Sequence, residues 1–206
     1  WGEVLRVEIR RLQNLKQPKV ASTCLDEPTW QRIFNRLPFT LNQEQAKVIA
    51  ILRKDLESGN PLRRLLHGEV GSGKTAVAFC LALAVVAQGG QVALLAPTEI
   101  LARQHLVTFQ TWLKDAEVQV CGLFGDDSAI MRRNALASFS AERSVIAIGT
   151  HALFGKEVAF ENLKLVLFDE QQRFGVRQKS ALVQKGKHPH VLTMTATPIP
   201  RTLAWA

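Results

Sequence analysis

Cysteine is scarce in this chain: Cys24, Cys80 and Cys121 are the only thiols in 206 residues, an odd number with no close pair. That argues against a disulfide framework or a cysteine-built zinc site and favours reduced, structural thiols in a cytoplasmic protein. Long apolar runs are missing too. The longest, residues 76–87, is too short to cross a bilayer, so no membrane partner is expected. No charged-then-apolar leader opens the chain, and internal repeats and low-complexity segments are absent. The first residue is Trp1 rather than Met, so the sequence reads as a piece of a longer protein.

Acid is absent after Glu170, whereas Arg173, Arg177, Lys179, Lys185, Lys187 and Arg201 all follow it. The whole chain carries a net charge of +8 with a pI near 9.8, which points to a polyanion partner. The basic run is equally a solvated face, and only its place behind an acid pair favours the functional reading. Apolar content of 47% and charged content of 21% fit a globular protein with a sizeable core.

Residues 3–16, with Leu5, Ile9, Leu12 and Leu15 at near-helical spacing, predict an amphipathic helix ended by Pro18. Residues 17–28 read as a linker. Asn42 followed by Gln45 predicts a capped helix start, and Val48, Ile49, Leu52 and Leu56 give that helix one buried face. Beyond it, short apolar strands at residues 64–67, 91–97, 118–124, 144–151, 163–170 and 190–197 alternate with helices. That alternation indicates a mostly parallel sheet with helices on both faces. The expected division is a helical extension over residues 1–36 and an α/β lobe over 37–206.

Residues 68–75, GEVGSGKT, fit G-x-x-x-x-G-K-[ST] between a strand and a helix, the context that pattern requires. Gly68, Gly71, Ser72 and Gly73 would let backbone N–H groups close around phosphate oxygens at a helix N-terminus. Lys74 would reach the β and γ phosphates of ATP, and the Thr75 hydroxyl would ligate Mg²⁺. Asp169 and Glu170 close the apolar strand LKLVLF; Asp169 would hold Mg²⁺ through water and Glu170 would polarise the attacking water. His188 and His190 flank a proline without neighbouring acid or thiol, so no zinc site is expected there. His67, His105 and His151 read as structural polar residues, and the four scattered tryptophans as packing residues.

Five motifs in order, GEVGSGKT (68–75), APTEILARQH (96–105), GTHALF (149–154), DEQQRFGV (169–176) and MTATPIPRTLA (194–204), make residues 37–206 resemble the RecG family of superfamily 2 DNA helicases. A transcription-repair coupling translocase shares the later motifs, but the serine in GSGKT, Gln171 and APTE favour the former. The resemblance implies a RecA-like P-loop NTPase lobe that binds Mg·ATP and works on duplex or branched DNA. It also implies a second RecA-like lobe and an upstream wedge domain as partners. Taken alone, the chain is equally readable as a nucleotide-binding module with little turnover. An RNA-directed motor is a further rival, disfavoured by the TATPIPRTLA segment.

Carried over residue by residue, the resemblance makes Gln45 the adenine-reading glutamine, with Phe39 a stacking neighbour. Thr98, Gly149 and Thr150 would line the DNA path, and Thr195 and Thr197 would link nucleotide site to DNA side. Gln172 departs from the pattern, which commonly has histidine there. A glutamine amide spans a similar distance and both donates and accepts, but it does not become charged, so coupling is expected without an imidazole.

Overall fold

The computed structural model describes residues 8–11, 19–20 and 22–196. In chain order these form strand β1 (Glu8–Arg11), helices α1 (Glu27–Phe34) and α2 (Gln43–Glu57), β2 (Arg63–His67), α3 (Lys74–Val86), β3 (Gln91–Leu95) and α4 (Glu99–Trp112). Then follow β4 (Gln119–Leu123), α5 (Ala129–Phe139), β5 (Val145–Gly149), β6 (Leu163–Asp169), α6 (Val176–Val183) and β7 (His190–Thr195). Two 3-10 turns, His151–Phe154 and Gln171–Arg173, follow β5 and β6.

The strands make one sheet in the order β1-β2-β7-β6-β3-β5-β4. Every pairing is parallel except that of β1 with β2. Side chains alternate across it: Val92 and Leu94 enter the core under α1 to α4, while Ala93 and Leu95 enter the core under α5 and α6. Both faces are therefore dry, which accounts for the unbroken apolar strands β3 and β5. Helix α3 is buried over all of residues 76–86, so it carries no polar stripe; its alanines let it lie close on the sheet.

Local chemistry sets the helix starts. Asn42 Oδ1 accepts from Gln45 N (2.8 Å) and Gln45 Oε1 accepts from Asn42 N (3.0 Å), the reciprocal box expected at α2. Asp26 caps α1, with Pro28 in its first turn. That helix begins at the end of the stretch expected to be a linker and runs past it, and Leu25, Trp30 and Ile33 share a core with α2 and α3.

The helix expected over residues 3–16 is corrected by β1, where Glu8 to Arg11 pair antiparallel with His67 to Arg64. The sequence holds a competing signal: Leu5, Val7 and Ile9 alternate strictly with Arg6, Glu8 and Arg10, and two of those apolar residues are β-branched. The open edge of β2 supplies the backbone partners that decide between the two periods. The rest of that segment, and Thr197 with the tail that follows it, lie outside the described residues.

Candidate active site

Because β2, β3, β5, β6 and β7 are parallel, their following loops open on one edge of the sheet, where ligands of open α/β sheets collect. The loop after β2 takes its shape from Gly71 and Gly73, at φ +83° and +78°. A Cβ on Gly73 would lie 2.0 Å from Gln45 Nε2, which donates to the Ser72 carbonyl at 3.1 Å. Gly73 is also the N-cap of α3 and brings no side-chain cap, leaving the helix's first N–H groups for an anion.

Lys74 turns back on its own loop. Its Nζ donates to the carbonyls of Gly68 (2.6 Å) and Glu69 (2.8 Å). Burial pulls its pKa down, opposed by the negative charges of Glu170 and Asp169. The loop is tied to β7 by Gly68 N donating to Thr195 O at 3.2 Å. Thr195 in turn reaches the acid pair, its Oγ1 lying 3.2 Å from Glu170 Oε2 and 3.3 Å from Gln172 Oε1. Hydrogen bonds thus run from Lys74 through Gly68 and Thr195 to Glu170.

Glu170 holds a left-handed backbone, φ +49°, which costs a non-glycine residue roughly 1–2 kcal/mol. Three contacts hold its carboxylate: Ala196 N donates to Oε1 (3.0 Å), while Gln172 Nε2 (2.6 Å) and Thr195 Oγ1 meet Oε2. Gln172 therefore touches both Glu170 and Thr195. Asp169 is held from another side, its Oδ2 lying 2.8 Å from His105 Nε2. The sequence did not mark His105 as part of the site. Its signal was a polar residue on the buried face of α4, at helical spacing from Ala102 and Phe109.

A cavity of about 440 Å³ opens beside the loop, walled by Phe39, Gln45, Gly73, Lys74, Thr75 and Trp112. Phe39 is 46% exposed and meets Trp112 edge-on, ring centroids 5.8 Å apart. Trp112, expected only to pack, thus also lines this space, with Phe79 behind it at 4.9 Å. A larger cavity, about 780 Å³, lies on the far side of Phe39 between α1 and α2. Its apolar walls, Phe34, Leu37 and Ile49 among them, include no residue of the glycine loop, whereas Gly71, Gly73, Lys74 and Thr75 line the smaller one. Thr75, which lines the cavity, and Asp169 carry oxygen donors, the chemistry that a hard divalent cation such as Mg²⁺ takes.

The residues expected on the DNA path sit on the same edge. Thr98 is exposed and caps α4, accepting from Leu101 N at 3.4 Å. Gly149 O accepts from Ala96 N at 3.0 Å, and a Cβ on Gly149 would lie 2.4 Å from the Leu123 carbonyl. Thr150 is buried, with its carbonyl bonded to Leu153 N. The basic run divides: Arg173, Arg177 and Lys187 are exposed, whereas Lys185 Nζ donates to the carbonyls of Gly155 (2.8 Å) and Val158 (2.7 Å).

His190 is a satisfied core residue, its Nδ1 accepting from Leu62 N at 2.9 Å, and no metal-holding cluster occurs among the described residues. His67, expected to be satisfied, leaves Nε2 buried without a partner among the described residues. The three thiols are unpaired; Cys80 is fully buried, its pKa pushed up to about 12. Among the described residues no helix is long and apolar enough to cross a membrane.

Residues 42–204 match the model of the DEAD/DEAH box helicase family. The chain is 44% identical over 207 residues to the ATP-dependent DNA helicase RecG of Treponema pallidum, covering 97% of this chain and 30% of that protein. To RecG of Acidithiobacillus ferridurans it is 49% identical over 175 residues, covering 85% of this chain and 26% of the relative. A solved structure of RecG bound to a three-way DNA junction superimposes with a TM-score of 0.75 at 35% identity, covering 91% of this chain and 25% of that one.

Proposed function

The chain belongs to the DEAD/DEAH box helicase family, and we propose that it is the ATP-binding lobe of a DNA helicase or translocase that remodels branched DNA in recombination and repair. The observation that carries this reading is the run of hydrogen bonds from Lys74 through Gly68 and Thr195 to Glu170, which joins phosphate loop and acid pair in one site. The RecG junction complex supports the choice of nucleic acid.

Backbone N–H groups of the loop and of the open α3 N-terminus bind the phosphates, and Lys74 exchanges its two carbonyls for β and γ oxygens. Phe39, Gln45 and Trp112 hold the base. Thr75 and Asp169 would hold Mg²⁺, which would supply positive charge to neutralise the phosphates. Glu170 orients the attacking water, whose oxygen bonds to the γ-phosphorus as the bond to the ADP oxygen breaks. Gln172 and Thr195, with Thr197, pass the state of Glu170 toward the DNA side, where Thr98, Gly149 and Thr150 meet phosphates. A second RecA-like lobe and an upstream wedge domain complete the machine, with the linker to the wedge falling within residues 1–36. A cytoplasmic location accompanies this reading.

Lys74→Ala is expected to weaken a fluorescent ATP analogue roughly 10- to 100-fold, as charged hydrogen bonds contribute about 1.5–3 kcal/mol each. Glu170→Gln is expected to keep that binding and lose hydrolysis. Equal binding by Lys74→Ala and the unaltered chain would refute the site. A second reading is favoured by length, since the chain spans 30% and 26% of the two relatives: alone, it binds nucleotide with little turnover. Robust hydrolysis stimulated by branched DNA would overturn that second reading.

A further inference from the structure

Helix α4 turns Ala102 and Phe109 to the core, both fully buried, and His105 stands between them on the same face. An imidazole on an apolar stripe needs a polar partner. Here the partner is Asp169: Nε2 lies 2.8 Å from Oδ2, the side chains only 11% and 15% exposed. A carboxylate only accepts, so Nε2 carries the proton and donates.

The helix that carries this imidazole is fixed at both ends. Thr98 caps it directly after β3, and β3 lies beside β6 with Leu95 opposite Phe168, the residue before Asp169. One turn beyond His105, Phe109 packs edge-on against Phe79 of α3, centroids 5.1 Å apart. A donor on so firmly seated a helix constrains one oxygen of the acid at the end of β6.

We propose that His105 is a positioning residue for the metal site, holding Oδ2 of Asp169 and so leaving Oδ1 for the cation or its water. The proposal rests on Asp169 being the metal-holding acid. Partners that orient a ligating carboxylate typically change metal affinity about 10- to 100-fold when removed.

The test titrates Mg²⁺ against binding of a fluorescent ADP analogue to the chain. His105→Leu fills similar volume without a donor, and His105→Gln keeps a donor near the position of Nε2. His105→Leu is expected to need roughly 10- to 100-fold more Mg²⁺ for half-maximal enhancement of binding, while affinity in EDTA stays unchanged. His105→Gln is expected to restore most of the difference. An unchanged Mg²⁺ midpoint in His105→Leu would overturn the proposal. So would an equal loss of affinity with and without Mg²⁺, because that marks a purely structural role, which the thermal midpoint would register too. Asp169→Asn serves as reference: if it leaves Mg²⁺ dependence untouched, the metal reading of Asp169 itself fails. If it shifts that dependence while His105→Leu does not, only the positioning role falls.

Discussion

Glycines 71 and 73 share a left-handed backbone but not its surroundings, which separates two costs. An alanine at either position carries the conformational cost of roughly 1–2 kcal/mol. At Gly71 nothing lies within 4 Å of the added methyl, whereas at Gly73 it would lie 2.0 Å from Gln45 Nε2. Gly71→Ala should therefore lower stability by about 1–2 kcal/mol in urea unfolding and keep part of its nucleotide binding. Gly73→Ala should cost more and lose binding, since Gln45 must leave the Ser72 carbonyl. Both glycines were legible from their motif, but the clash with Gln45 was not, because residues 45 and 73 meet only through the packing of α2 beside the loop. Gln172 was legible as a departure; its bond to Glu170 is local, two residues away, whereas its contact with Thr195 needed the end of β7 beside the end of β6.

Helix boundaries behaved as local chemistry dictates. The box at Asn42 and Gln45 was readable because both partners lie within one turn. Asn42→Ala should cost about 1 kcal/mol, while Asn42→Thr should stay within roughly 0.5 kcal/mol of the unaltered chain, measured by urea unfolding. Strands were equally legible where both faces are dry, since β3 and β5 admit no polar residue between their ends. The first strand was not. Residues 3–16 satisfy a helical spacing and residues 5–10 a strict alternation, and over Glu8–Arg11 the backbone of β2, remote in sequence, selected the extended form. Helix α1 is not legible for a related reason: it starts at the end of the polar, proline-flanked stretch 17–28, and its helical form is secured by Trp30 and Ile33 reaching the core of α2 and α3.

Stability of the whole lobe should depend on pH through His190, which ties the start of β2 to β7 by accepting from Leu62 N. Burial, aided by the positive charges of Arg63 and Lys164, pulls its pKa down from 6.5 to about 4. The unfolded chain binds the proton more readily, so this contribution is complete above about pH 6.5 and is lost as pH falls toward 4. The loss should be of order 3 kcal/mol, and His190→Asn, which keeps an acceptor for Leu62, should flatten urea midpoints measured across that window. At the same scale lies the division between sequence and structure. Sequence alone determined the α/β class and presented the G-x-x-x-x-G-K-T loop and the paired carboxylates, because motif spacing and unbroken apolar runs are properties of the local sequence. Only the tertiary structure decided that β7 lies between β2 and β6, with β3 on the other side of β6. Strand order depends on pairing between distant segments, and that order brought Thr195 to Glu170 and His105 to Asp169.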